Sequence, residues 1–403
     1  MFKKFMQLAL PVRILIGMAL GILAALIVPH WSLLSIFGDL FVGALKGIAP
    51  FLVFLITIAA IAKQDGSKKT HLKVIISIYL VATFAAAILA VVMSYLFPIA
   101  IPLGKVAHET SKVSNIGDVL QPMLANLVQN PLTAIMDGNY LSILLWASIL
   151  GFALKKVSPA TKASIQDFST ACQTAIKYVI NLAPLGVFGL VFHSVATTGF
   201  KALMQYGQIV ILLVVTMSIV AFVIYPLIVL ILTKRNPYPL VMFVIKNSAI
   251  HAFFTRSSAA NIPVNMELAK KLGLDETTYS ISLPLGATIN MGGAAVTIST
   301  MTLAATHTLG IPVQVPVAIL LSILASLAAC GASGIAGGSL LLIPMACNLF
   351  GINNTVAMQV VAVGFIIGVV QDSVETALNS SSDLLFTATA EYAATGKHFT
   401  APE

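Results

Sequence analysis

Charge is what this sequence has least of. Lysine, arginine, aspartate and glutamate together make 9% of the 403 residues, while 58% are hydrophobic. Soluble domains carry about 25% charged residues. Mean hydropathy is +0.99. A water-soluble fold has too little room to hide that much apolar side chain, so the composition predicts a polytopic membrane protein. Cysteine is scarce as well. Cys172, Cys330 and Cys347 are odd in number and lack metal-ligand spacing, so neither a disulfide framework nor a zinc site is indicated. Between Lys271 and Lys397 there is no lysine or arginine at all.

The charge that is present falls in clusters. The chain has 22 basic and 14 acidic residues, a formal net charge of +8. In a soluble protein that excess would suggest nucleic acid. Here it is the positive-inside bias of a membrane protein. The clusters Lys3/Lys4, Lys63–Lys73, Lys155–Lys162, Lys234/Arg235, Lys270/Lys271 and Lys397 are placed in the cytoplasm, with no nucleic-acid partner. Both termini are then cytoplasmic, in a multi-pass protein of the inner (plasma) membrane. The start, MFKKF and an apolar run, is similar to a signal peptide, but no small-residue cleavage site follows, so a retained first helix is expected.

Ile209–Leu232 runs 24 residues without a charge, enough for a hydrocarbon core about 30 Å thick. The same pattern predicts spans over Leu10–Pro29, Leu33–Ala62, Val74–Phe97, a broken segment Val119–Leu154, and Ile165–Val191. Two later regions do not fit simple spans. The arms Leu240–Phe254 and Ile262–Leu272 lie between cytoplasmic clusters, and each is shorter than the roughly 20 residues a span needs. A re-entrant hairpin turning at TRSSAAN resolves the conflict. After a full span, Tyr279–Leu309, the short arms Val313–Ala329 and Gly338–Phe350 are joined by CGASGIAG, and a last span covers Val356–Thr387. The second hairpin must then enter from outside. The expected architecture is all-α: eight transmembrane helices plus two opposed re-entrant helical hairpins, arranged as inverted repeats. Non-helical backbone at membrane depth is tolerated where it lines a cavity, and broken helices in inverted repeats mark transporter sites.

The last span holds the densest polar set. At about 100° per residue, Asp372, Glu375, Thr376, Asn379 and Asp383 fall within an arc of roughly 100°. Intramembrane carboxylates are functional candidates by default. Burying three of them bare would cost several kcal/mol each. Protonation, Arg256 from the first hairpin tip, or a mobile cation would each relieve that cost. In the preceding span, ATINMGGAAVT breaks the helix at Asn290 and Gly292–Gly293. The break serves either freed carbonyls for a dehydrated Na⁺ or close packing at small residues. Spacing does not decide between them. CGASGIAG lacks the Lys-Ser/Thr ending of a phosphate loop, and its glycines suit a gate.

TRSSAANIPV, the break NMGG and the final NSSSD, in that order, resemble the dicarboxylate/amino acid:cation symporter family, which includes the glutamate transporters. The likeness covers about Leu240–Tyr392. It implies a homotrimer of elevator type in which a transport domain moves against a scaffold. The scaffold would take residues 1–72 (helices 1–2) and 105–200 (helices 4–5). The transport domain would take 73–104 (helix 3) and 201–403 (helix 6 to helix 8, with both hairpins). It implies substrate contacts at Ser257 and Ser258 for the α-carboxylate, at Asp372 for the α-amino group, at Asn379, and at Ile335 in the second tip. Gating falls on Gly334 and Gly337, with Arg256 as an ion-pair residue facing Glu375 or Asp372. One sodium site would use Gly286, Asn290, Asn379 and Asp383. A second would use Thr288, Met291 and the tip residues Ala329, Cys330 and Ala332.

Two departures refine the expectation. Acidic-substrate members carry an arginine where this chain has Glu375, which would repel aspartate or glutamate at a cost of several kcal/mol. A glutamate there, with Thr376 beside it, can instead meet a hydroxyl, which points to serine or threonine. The family's aspartate in the helix break is Gly292 here, so fewer coupled sodium ions are expected. The resulting expectation is a sodium-coupled importer of small neutral amino acids and not an enzyme. Proton coupling, or an acidic substrate, is the alternative. A channel needs no opposed hairpins. Asp372 and Asp383 lie about 16 Å apart along one helix, too far for an aspartic-protease dyad.

Overall fold

In lipid a chain can satisfy its backbone groups only as helices or closed barrels, and among the described residues this chain forms helices and no strand. The structure is a computed structural model that describes residues 8, 10–63, 71–103, 127–331, 337–396 and 399. Its helices are α1 (Leu10–Ile27), α2 (Ile36–Lys63), α3 (Leu72–Leu96), α4 (Pro131–Asp137), α5 (Tyr140–Ala153), α6 (Pro159–Asn181), α7 (Ala183–Thr198), α8 (Phe200–Ile219) and α9 (Tyr225–Thr233). They continue with α10 (Tyr238–Val244), α11 (Ile250–Thr255), α12 (Ser258–Lys271), α13 (Glu276–Ile289), α14 (Gly292–Thr308), α15 (Val315–Ala329), α16 (Ile343–Asn348) and α17 (Asn354–Thr395).

Among the described residues five stretches are long and apolar enough to cross a membrane: Ser32–Ala59, Leu72–Leu96, Lys201–Thr233, Glu276–Thr308 and Asn354–Thr395. The pair α6 and α7 would make a sixth, bent by 49° at Leu182. The expected single span Ile165–Val191 is therefore corrected to two helices. Pro184 sits in the first turn of α7, where its missing N–H costs nothing, so a new helix starts there at a new angle. The last helix is also longer than expected, because Asn353 caps it early and Gly396, left-handed at φ 71°, ends it.

The turn of the first short pair is tighter than TRSSAAN. Only Arg256 and Ser257 stand outside helix, and Ser258–Asn261 already belong to α12. The Ser257 hydroxyl explains this, since it accepts from Ala260 N and satisfies one of the orphan donors of α12. The arm before the turn carries a π-helical insert at Ile245–Ala249.

Packing falls into two sets. In the first, α1 and α2 pack on α7, and α2 also packs on α5 and α6. In the second, α14 packs on α3, α15 and α17, while α11, α12, α13 and α8 all pack on α17. Contacts of α17 with α1, α2 and α7 join the sets. Because α17 is surrounded, its polar residues Asp372, Glu375, Asn379 and Asp383 are buried despite their charge or amide groups.

Candidate binding site

Helix α11 stops at Arg256, a non-glycine residue at φ 51° whose N–H returns to Ala252 O. A left-handed L-residue costs roughly 1–2 kcal/mol, and the side chain it aims offsets that cost. Arg256 Nε donates to Asp372 Oδ2 at 2.7 Å, and Nη2 donates to Gly368 O at 3.2 Å. The other carboxylate oxygen, Asp372 Oδ1, accepts from Gly337 N of the second tip at 3.1 Å. One aspartate thus ties together both tips. A cleft beside it is lined by Arg256, Asp372 and Gly337 from one packing set and by Leu10, Ile14 and Ile180 from the other. Of the two partners expected for Arg256, the structure gives Asp372.

Glu375 lies one turn further along α17 and meets only neutral donors. Thr297 Oγ1 donates to its Oε2 at 2.7 Å and Ser339 Oγ at 2.8 Å, and Gln371 Nε2 donates to the same oxygen. Among the described residues it has no ion-pair partner. Thr376 beside it is buried, at 6% exposure.

The helix break separates α13 from α14 at Asn290 and Met291. Asn290 is fully buried, and its Nδ2 donates to Asp383 Oδ1 at 2.9 Å, Ser382 Oγ at 2.7 Å and Asn379 O at 3.3 Å. Asn379 Oδ1 in turn accepts from Gly293 N at 2.7 Å, satisfying one free donor at the start of α14. A Cβ on Gly293 would stand 2.9 Å from Glu375 O and 3.0 Å from its Cα. One on Gly292 would meet the Tyr225 hydroxyl. Close packing at small residues therefore shapes this break. Cation binding remains compatible with it. Asn290 Oδ1 is buried without a partner among the described residues, Asp383 is a buried carboxylate without an ion-pair partner there, and Gly286, where a Cβ would stand 2.5 Å from Asp383 Oδ1, lets that oxygen pack close to the α13 backbone. Oxygen donors without protons are what a small hard cation takes.

The second tip approaches the same break. Cys330 Sγ lies 3.4 Å from Ile289 O, and Ala329 and Met291 are buried nearby in sequence to it and to the break. Thr288 spends its hydroxyl on Leu285 O of its own helix. Ala332, Gly334 and Ile335 lie outside the described residues. Ser257 is engaged as a helix cap, and Ser258 is buried, at 2% exposure, at the start of α12.

Sequence reasoning missed two clusters. Gln371, Thr297 and Ser339 around Glu375 were not singled out. Nor were Asn261 and Asn265, which fasten α12 to α17: Asn261 Nδ2 donates to Ser380 Oγ at 2.9 Å and Asn265 Nδ2 to Ser380 O at 2.8 Å. Their four-residue spacing within α12 was the available signal, because side chains at i, i+4 share a helix face.

The sodium:dicarboxylate symporter family model matches residues 10–392. The chain belongs to that family. It is also 57% identical over 393 residues to the serine/threonine transporter SstT of Enterococcus faecalis, covering 98% of this chain and 94% of that one. A family member of this kind is a multi-pass membrane transporter and not an enzyme.

Proposed function

We propose that this protein imports serine and threonine across the inner membrane by symport with sodium. The observation that carries the reading is Glu375, a buried carboxylate of α17 supplied only with neutral donors. Acidic-substrate relatives place an arginine there. Arg256, at the turn between α11 and α12, is engaged with Asp372, so a side-chain carboxylate of a substrate would meet repulsion at Glu375 and a hydroxyl would meet an acceptor. Similarity to a protein named for serine and threonine transport supports the same substrate class.

In this reading Asp372 receives the substrate ammonium, so Arg256 must give up Oδ2 as substrate arrives. Ser258, Asn379 and Ile335 complete the substrate contacts. Asp383, Asn290, Asn379 and the Gly286 carbonyl hold one sodium, and Thr288, Met291, Ala329, Cys330 and Ala332 surround a second. A third is not expected, since the Tyr225 hydroxyl fills the space where a side chain at Gly292 would begin. The short pairs α10–α12 and α15–α16 act as opposed re-entrant hairpins, with Gly334 and Gly337 as gate hinges. The α17-centred packing set carries the site as an elevator against the α2-centred set, within a homotrimer whose termini are cytoplasmic. The testing experiment is uptake of labelled serine into proteoliposomes with sodium and proton gradients imposed separately. Concentrative uptake should follow the sodium gradient; uptake driven by the proton gradient alone would replace sodium with a proton in this account.

A further inference from the structure

The donors on Glu375 are distributed in a way that burial alone does not require. A buried carboxylate is satisfied when donors reach both oxygens, yet Thr297, Ser339 and Gln371 converge on Oε2. Among the described residues no donor reaches Oε1. The three come from three elements: α14, the turn at Ser339–Leu342, and α17 itself. They are also linked, since Gln371 Nε2 donates to Thr297 Oγ1 at 2.8 Å as well as to Glu375. Thr297 and Gln371 are wholly buried and Ser339 is 1% exposed. Gln371 Oε1, on the same amide, is buried with no partner among the described residues. The network therefore has its protons committed to one oxygen and two acceptor atoms left over. Among the described residues, what it lacks is a donor.

We infer that Thr297, Gln371 and Ser339 are positioning residues for substrate selectivity. They hold Glu375 by Oε2 so that Oε1 is presented, fixed and without a competing donor, to the hydroxyl of the amino acid. This rests on the serine/threonine reading above. A site built to hydrogen-bond a hydroxyl rejects the analogue that lacks it, because its acceptor is then left unpaired. Loosening Glu375 lets the carboxylate rotate and pair with its own neighbours, so the advantage of the hydroxyl shrinks. Affinity for the rest of the amino acid, held at Asp372 and the tips, is unaffected.

The test compares serine with alanine, which lacks the hydroxyl, as competitors of labelled serine uptake in proteoliposomes. Thr297→Val keeps shape and removes one donor; Ser339→Ala removes another from a different element; Thr297→Ser keeps the hydroxyl. The expected result is that Thr297→Val and Ser339→Ala each weaken serine about tenfold while alanine changes less than about twofold. Thr297→Ser should retain the native ratio. A parallel loss of serine and alanine, or an unchanged ratio in a transporting Thr297→Val or Ser339→Ala protein, overturns the inference and leaves the substrate assignment standing. Should one variant not assemble, the other decides. An unmutated protein that takes alanine as readily as serine overturns the hydroxyl reading itself, and the inference with it.

Discussion

At the residue scale the site turns on Asp372, whose two oxygens are divided between the tips. Asp372→Asn keeps the shape but removes the charge that Arg256 now faces. Breaking one half of a buried ion pair costs about 3–5 kcal/mol because the other half stays buried and unpaired. The expected outcome is loss of serine binding, read by calorimetry, together with a lower unfolding temperature. Near-normal serine affinity in that variant would remove Asp372 from the site. The Arg256–Asp372 pair was nearly legible in the sequence. With no lysine or arginine from Leu272 to Gly396, the carboxylates of α17 had to look elsewhere for a cation, and Arg256, set between two short apolar arms, was one of few choices. Which carboxylate it takes was not legible, since Asp372 and Glu375 share a helix face. Gln371, Thr297 and Ser339 were not legible either. A neutral polar side chain in an apolar sequence shows that a partner must exist and gives no indication which.

At the element scale the helix break between α13 and α14 is what lets α17 come close. Gly293 faces the backbone of Glu375, and backbone cannot yield as a flexible side chain can. Gly293→Ala should therefore separate α14 from α17, at a cost in the overpacking range of about 1–3 kcal/mol. It should also pull Gly293 N away from Asn379 Oδ1. Thermal unfolding in detergent should show the destabilisation, and the sodium concentration giving half-maximal uptake should rise. A variant with native stability and a native sodium curve would mean that the close approach is incidental. The long apolar runs and both short-armed pairs were readable because length in lipid is a hard constraint. The bend between α6 and α7 was not, since hydropathy is blind to direction and only Pro184 hinted at it. The turn at Arg256–Ser257 came out shorter than drawn because a serine cap can start a helix inside a polar stretch.

At the scale of the whole molecule, substrate class is a balance of charge within one buried site. Among the described residues α17 has one buried carboxylate paired with a cation, Asp372 with Arg256, and three further buried carboxylates without an ion-pair partner, Glu375, Asp383 and Glu391, in a chain whose formal net charge is +8. A zwitterion with a neutral side chain, accompanied by sodium, fits that balance. An amino acid with a second carboxylate adds negative charge beside Glu375, which has no ion-pair partner among the described residues to neutralise it. The most direct measurement is competition: labelled serine uptake into proteoliposomes under an inward sodium gradient, with excess unlabelled serine, threonine, aspartate or glutamate outside. Serine and threonine should abolish the signal, and aspartate and glutamate should leave it intact. Strong inhibition by aspartate would contradict the account.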